Sequence, residues 1–171
     1  MKTLYLLRHA KSSWDHPHLA DHDRPLAKRG RKAAPLMAVW LRSHAARPEL
    51  VLCSTAERAR ETWNLVAPEL LPTPEVQLRR DVYDADGRDL LELIRAAPDA
   101  VSALMVVGHN PAMEDAADLL AGDGDPDALK TMRAKYPTAA VAELTFDRDD
   151  WSGIDRGAGT LTRFVRPKDL G

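Results

Sequence analysis

Short apolar runs alternate along this chain with longer stretches in which apolar residues recur at helical spacing. Thr3 to Leu7, with Leu4-Tyr5-Leu6-Leu7 at its centre, has no polar alternation and reads as a buried strand. From Lys28 to His44, Ala33, Met37, Trp40 and Leu41 predict a helix, which Pro35 should kink or break. Leu50-Val51-Leu52-Cys53 reads as a second strand. Ser54 follows as an N-cap, with Glu57 completing a capping box for a helix that runs to about Leu70.

Pro72 to Pro74 marks a turn, and Val76 to Leu78 a short strand. Arg88 to Ala97 reads as a helix stopped by Pro98, and Ala103 to Val107 is the clearest buried strand. Asn110-Pro111 supplies a cap and a proline at the first helical position, and Gly122 ends that helix. Asp123 to Asp127 is expected to be an acidic loop, and Ala140–Phe146 and Thr160–Val165 to be closing strands, one of them antiparallel. Strands alternating with helices predict an α/β fold with a mostly parallel sheet.

Length and composition then narrow the class. A chain of 171 residues suits a single domain, residues 1–171, and at that length folding buries roughly 70% of the unfolded surface. A formal net charge of -2 gives no broad attraction to nucleic acid or membrane, and the aromatics form no stacking platform for bases. Cys53 is the only cysteine, so neither an internal disulfide nor a thiolate metal cluster is available. The apolar run at the amino terminus is too short for a signal peptide or a membrane span, and a cytoplasmic monomer is expected.

Three predicted strands end in residues suited to one chemistry: the first in Arg8-His9, the second in Ser54 with Arg58 one helical turn on, the third in Gly108-His109. In an open parallel sheet, ligands bind beyond the carboxyl ends of the strands, so pattern alone gathers these groups on one rim. Arginine forks match phosphate oxygens, and two of them neutralise a dianion. A capped helix start at Ser54 would add backbone donors. A neutral imidazole at His9 is a competent nucleophile toward phosphorus, and neighbouring arginines favour its neutral form.

These residues carry a resemblance. Leu7-Arg8-His9-Ala10 resembles the Arg-His-Gly signature of the histidine phosphatase superfamily, which includes the phosphoglycerate mutases. Ser54-Thr55-Ala56-Glu57-Arg58-Ala59-Arg60-Glu61-Thr62 is similar to its second motif, and Val107-Gly108-His109-Asn110-Pro111 to its third. Asp23-Arg24-Pro25-Leu26 followed by Gly30, and Lys135-Tyr136-Pro137-Thr138, resemble the SixA-like phosphohistidine phosphatase branch. The resemblance implies a three-layer α/β/α sandwich. It also implies a covalent phosphoryl intermediate on His9, in a pocket lined by Arg8, Arg58 and His109, without metal or cofactor. The substrate it implies is a phosphohistidine-bearing protein, the alternatives being a small phosphorylated metabolite or a non-catalytic phosphoprotein-binding role.

The chain departs from the family pattern in three places. Ala10 stands where most members have glycine, and Ala27 where many have a threonine cap. Mutases and acid phosphatases carry an acidic residue after their second helix region, and no matching motif is evident. Asp84, in Val82-Tyr83-Asp84-Ala85-Asp86, is the nearest candidate proton donor, and Glu57 is another. Two further signals lie near the site. His16-Pro17-His18-Leu19-Ala20-Asp21-His22 resembles the zinc motif of metallo-β-lactamase-like hydrolases, with one residue too many before the aspartate, and reads as a polar loop. Arg24, Lys28, Arg29, Arg31 and Lys32 form a basic run, read either as a solvated face or as a rim for anionic substrates with Arg24 reaching the phosphate.

Overall fold

The computed structural model describes residues 1–170. Its elements, in chain order, are β1 (Lys2–Arg8), α1 (Lys28–Ser43), β2 (Leu50–Ser54), α2 (Glu57–Val66), β3 (Glu75–Arg79) and α3 (Arg80–Asp84). They continue with α4 (Gly87–Arg95), β4 (Ala103–Gly108), α5 (Ala112–Leu120), β5 (Ala121–Gly124), α6 (Pro126–Ala134), β6 (Val141–Phe146) and β7 (Gly159–Val165). The seven strands form one sheet in the order β3-β2-β4-β1-β6-β7-β5. β6 is antiparallel to both its neighbours, β1 and β7, while the remaining pairings are parallel.

The strict period of two in the central strands divides the core between the faces of the sheet. Leu4 and Leu6 of β1, Leu104 and Val106 of β4, and Leu50 and Leu52 of β2 join one cluster with Leu90, Ile94, Met113 and Leu120 from α4 and α5. Tyr5 and Leu7, Met105 and Val107, and Val51 and Cys53 join the other, with Met37 and Leu41 of α1 and Trp63 of α2. Helices therefore cover both faces, giving the expected three-layer α/β/α arrangement. A fully buried leucine or valine of this kind contributes roughly 1.5–3 kcal/mol, which fixes the register of the central strands.

Local departures from the expected elements have local causes. α1 continues through Pro35, because its buried stripe of Ala34, Met37, Ala38 and Leu41 holds the helix against the sheet. Ser54 is the last residue of β2 and not a helix cap; α2 begins at Glu57 after Ala56, whose side chain has nothing to cap with. The N-cap position before α5 is Pro111, and the helix starts at Ala112. The expected acidic loop is instead the edge strand β5 and the start of α6, whose first turn is secured by Asp125 accepting from the Ala128 N–H at 2.9 Å, with Pro126 next. Four of the loop's five residues are Asp or Gly, which conceals a strand that earns its place by pairing with β7.

Candidate active site

Register alone brings the two histidines together. Arg8 of β1 is level with Gly108 of β4, so the next residue of each chain segment, His9 and His109, leaves the sheet side by side. The His9 N–H donates to the Gly108 carbonyl at 3.0 Å, and the two imidazole centroids are 5.0 Å apart. Behind them, the Ala139 N–H is shared between the Arg8 and His9 carbonyls at 3.0 Å each, tying the residues after α6 to the same strand end.

Each ring is fixed in one tautomer. His9 Nδ1 lies 2.7 Å from the Ala10 carbonyl, which only accepts, so Nδ1 carries the hydrogen and Nε2 keeps its lone pair. Burial above all, then the charges around it, including those of Arg58 and Arg8, lower the His9 pKa to about 3, although its backbone hydrogen bond works the other way. His9 is therefore a neutral imidazole near neutral pH. His109 Nε2 is 2.7 Å from the Oγ of Ser54, a fully buried hydroxyl that already accepts from the Ala56 N–H at 3.1 Å. The arrangement that uses every group has Ser54 donating to Nε2, which puts the remaining His109 hydrogen on Nδ1. Burial, then Arg58 and Arg8, lower the His109 pKa to about 4, against the pull of Asp21.

Two buried donors point at no protein acceptor among the described residues: Arg8 Nε and His109 Nδ1. Such an orphan costs about 1–3 kcal/mol, so its place in a folded core calls for a ligand. Arg8 is otherwise anchored by Nη1 donating to the Tyr136 carbonyl at 2.9 Å. Arg58, in the first turn of α2, is buried and anchored through Thr62: the Thr62 hydroxyl donates to the Arg58 carbonyl at 2.7 Å and accepts from the Ala10 N–H at 2.9 Å. That one threonine links the arginine's helix to the residue after His9.

The organising carboxylate of the site is one the sequence pattern does not single out. Asp21 lies in a short 3-10 turn, Asp21–Asp23. Arg58 donates Nη1 to its carbonyl at 2.7 Å and Nη2 to Oδ2 at 3.0 Å; Arg24 donates to Oδ1 at 2.8 Å and the Tyr83 hydroxyl to Oδ2 at 2.7 Å. Burial pushes the Asp21 pKa up. The hydrogen bonds from Tyr83 and Arg58, the Arg58 charge and the bond from Arg24 outweigh it and hold the carboxyl well below the usual carboxylate range. Tyr83 also stands edge-on to His109, with centroids 5.4 Å apart, so this network reaches the second histidine. The signals for it in the sequence were the i, i+3 pair of Asp21 and Arg24 and the tyrosine beside Asp84.

This is a pocket of two arginines and two neutral imidazoles, one with a free lone pair and one with a free N–H, matched to a tetrahedral dianion. Comparison with known proteins agrees. The model for the histidine phosphatase superfamily (branch 1) matches residues 4–86. An uncharacterised protein of Mycobacterium leprae is 36% identical over 166 residues, 95% of this chain and 100% of its own length. The structure of the SixA protein of Agrobacterium tumefaciens superposes with a TM-score of 0.82 at 30% identity, covering 97% of this chain and 98% of that one. The phosphohistidine phosphatase SixA of Escherichia coli is 27% identical over 180 residues, 98% of this chain and 95% of its own. The chain belongs to the histidine phosphatase superfamily, on its SixA-like branch.

As a SixA-like phosphatase, the chain keeps Arg8, His9, Arg58 and His109 together and corrects the expectations around them. Asp84, the candidate proton donor, is exposed at the end of α3 and faces Arg80 at 3.4 Å, one helical turn back. Glu57 pairs with Arg60 at 3.5 Å. Ser54 lies at the site, but its hydroxyl serves His109 and the Ala56 N–H and caps no helix. Arg24 does not offer an open fork: its donors go to Asp21, to the Ser13 carbonyl at 3.2 Å and to Ser12 Oγ, and its guanidinium stacks 3.5 Å over Trp14. His16 and His18 are exposed, and His22 meets Thr55 Oγ1 at 2.8 Å. Among the described residues no three His, Cys, Asp or Glu side chains converge as a metal site requires.

Proposed function

We propose that this SixA-like phosphatase removes the phosphoryl group from phosphohistidine in a protein partner, by way of a covalent phosphohistidine on His9 and without a metal. His9 Nε2 attacks phosphorus in line with the departing imidazole nitrogen, forming one P–N bond as the other breaks. The leaving nitrogen keeps the electron pair of the broken bond, and the imidazole departs neutral with a proton from solvent on its other ring nitrogen. Arg8, Arg58 and the His109 Nδ1–H hold the three spectator oxygens, and their pull strengthens as charge gathers there in the transition state. Water then attacks phospho-His9, releasing inorganic phosphate and restoring the neutral ring.

The observation that carries the substrate class is Asp21. The carboxylate anchored to the arginines is held ionised by three donor side chains, so it is a poor source of protons. An alkyl phosphate expels a strongly basic alkoxide and needs a general acid. A phosphohistidine protonated by solvent on its other ring nitrogen expels neutral imidazole, whose conjugate acid has a reference pKa of about 6.5, and needs no acid from the protein.

The test is rapid chemical quench with a phosphohistidine protein, an aryl phosphate and an alkyl phosphate, each with and without a chelator. An acid-labile phosphate should appear on His9, and kcat/KM should fall in the order phosphohistidine, aryl, alkyl, with Asp84→Ala leaving the first unchanged. Full turnover by His9→Ala would reject the covalent route. Equal rates on alkyl phosphate and phosphohistidine would favour a small-metabolite phosphatase, and labelling without turnover on any substrate a binding role.

A further inference from the structure

A second concavity, of about 620 Å³, is lined by Lys11, two residues beyond His9, and by residues of α1, α6 and the segments after α6 and β7. That volume is in the range of small-molecule sites. Four separate stretches of chain send cations into it: Lys11 just after β1, Arg29 from α1, Lys130 and Lys135 from α6 and its end, and Lys168 after β7. None of these five takes part in an ion pair among the described residues, whereas the sixth cation there, Arg166, is forked onto Asp169 at 2.8 Å. Asp127 is the one carboxylate on the wall.

A solvated helix face does not account for this. The chain as a whole has more acids than bases, 26 against 24, and like charges brought into one hollow from four directions repel each other. A polyanion relieves that repulsion. The hollow is also not uniformly polar: Ala33, Ala134, Pro137 and Pro167 present aliphatic walls between the cations, and Thr131 and Thr138 add hydroxyls. Charged groups for several phosphates beside aliphatic walls for a flat apolar body describe a nucleoside polyphosphate better than a bare phosphate chain.

We infer that this groove is a binding site for a nucleoside di- or triphosphate, separate from the catalytic pocket. It takes up part of the basic run at Lys28 to Lys32, through Arg29, and Lys135, Pro137 and Thr138, which flank the Tyr136 whose carbonyl anchors Arg8. The two sites share backbone: Thr138 adjoins Ala139, whose N–H bonds the Arg8 and His9 carbonyls, and Lys11 is two residues from His9.

Titration calorimetry of the full chain with ATP tests the site, in a His9→Ala background so that no turnover consumes the probe. Binding should weaken at least tenfold in Lys130→Ala/Lys168→Ala and again at high salt, and should survive Arg58→Ala. The lysine double variant should keep the parent's rate on aryl phosphate. Loss of ATP binding in Arg58→Ala with retention in the double variant would move the nucleotide to the catalytic pocket and overturn the inference. So would inorganic triphosphate binding as tightly as ATP. If ATP does not bind at all and the double variant instead loses kcat/KM on a phosphoprotein, the groove is a protein-docking surface and the nucleotide site is rejected. The calorimetric and aryl phosphate readouts are independent of whether phosphohistidine is the substrate.

Discussion

The depressed pKa values of His9 and His109 make stability depend on pH below neutrality. In the unfolded chain a histidine takes up its proton near pH 6.5; in the fold His9 does so only at about 3 and His109 at about 4. Between those limits the unfolded state binds more protons than the folded one, so stability is full above about pH 6.5 and falls as the pH is lowered. Each group contributes about 1.4 kcal/mol per pH unit inside its window. From pH 6.5 to 4.5 the pair should remove roughly 5 kcal/mol of stability, a large part of the total of a domain this size. The measurement is denaturant unfolding at half-unit pH steps, in the parent and in His9→Asn/His109→Asn, where neither position titrates. The parent should lose stability more steeply than the variant by nearly 3 kcal/mol per unit through this window. Parallel curves would show that the histidines are not held neutral by the fold, and the nucleophile argument would lose its basis.

Two further outcomes probe the supports of the site. Gly30→Ala would set a methyl carbon 2.2 Å from the Lys11 carbonyl, so α1 and the backbone after His9 must separate; a loss of about 1–3 kcal/mol is expected, or a Tm lower by roughly 2–4 °C per kcal/mol, and an unchanged Tm would show that the contact is not tight. Ser54→Ala removes the donor that sets the His109 tautomer, so kcat/KM on a phosphohistidine protein should fall on the order of tenfold to a hundredfold with KM little altered; a change under twofold would mean that His109 needs no such guide.

The central strands and four of the site residues were legible because each is set by local pattern. Unbroken apolar runs mark β1, β2 and β4, and the reactive residues follow them directly, so the parallel register that joins Arg8 to Gly108 needed no more than the fold class. What was hidden depends on contacts distant in sequence. Asp21 gains its importance from Arg58, 37 residues away, and from Tyr83, 62 away, and neither its spacing to Arg24 nor the tyrosine beside Asp84 shows in the sequence that these groups meet. Ser54 and Glu57 matched a capping box in spacing, but the chain stays extended through Ala56, so the box cannot close. β5 and the start of α6 were masked by Asp and Gly, residues that ordinarily signal a loop, and are held by pairing with β7 and by the Asp125 cap.

The same features that suit the pocket to phosphate also prepare the nucleophile proposed for it. Burial and the charges of Arg8 and Arg58 disfavour any further positive charge, which keeps both imidazoles neutral. An incoming dianion therefore meets two fixed guanidinium groups and a free lone pair, and need not first displace a proton from His9. Asp21 looks like a contradiction, since a carboxylate beside the phosphate arginines repels the substrate. Its geometry resolves this. It takes two of the five donors of Arg58, a group that must otherwise be oriented at the moment of binding, and so sets that fork in advance, while Arg24 holds the carboxylate from its other side. The cost is that Asp21 stays ionised and has no proton to lend. A pocket organised in this way gains rate on substrates whose leaving group needs no acid, and forgoes it on alkyl esters. The preference for phosphohistidine proposed above then rests on how Arg58 is held in place, and not on an acid that happens to be missing.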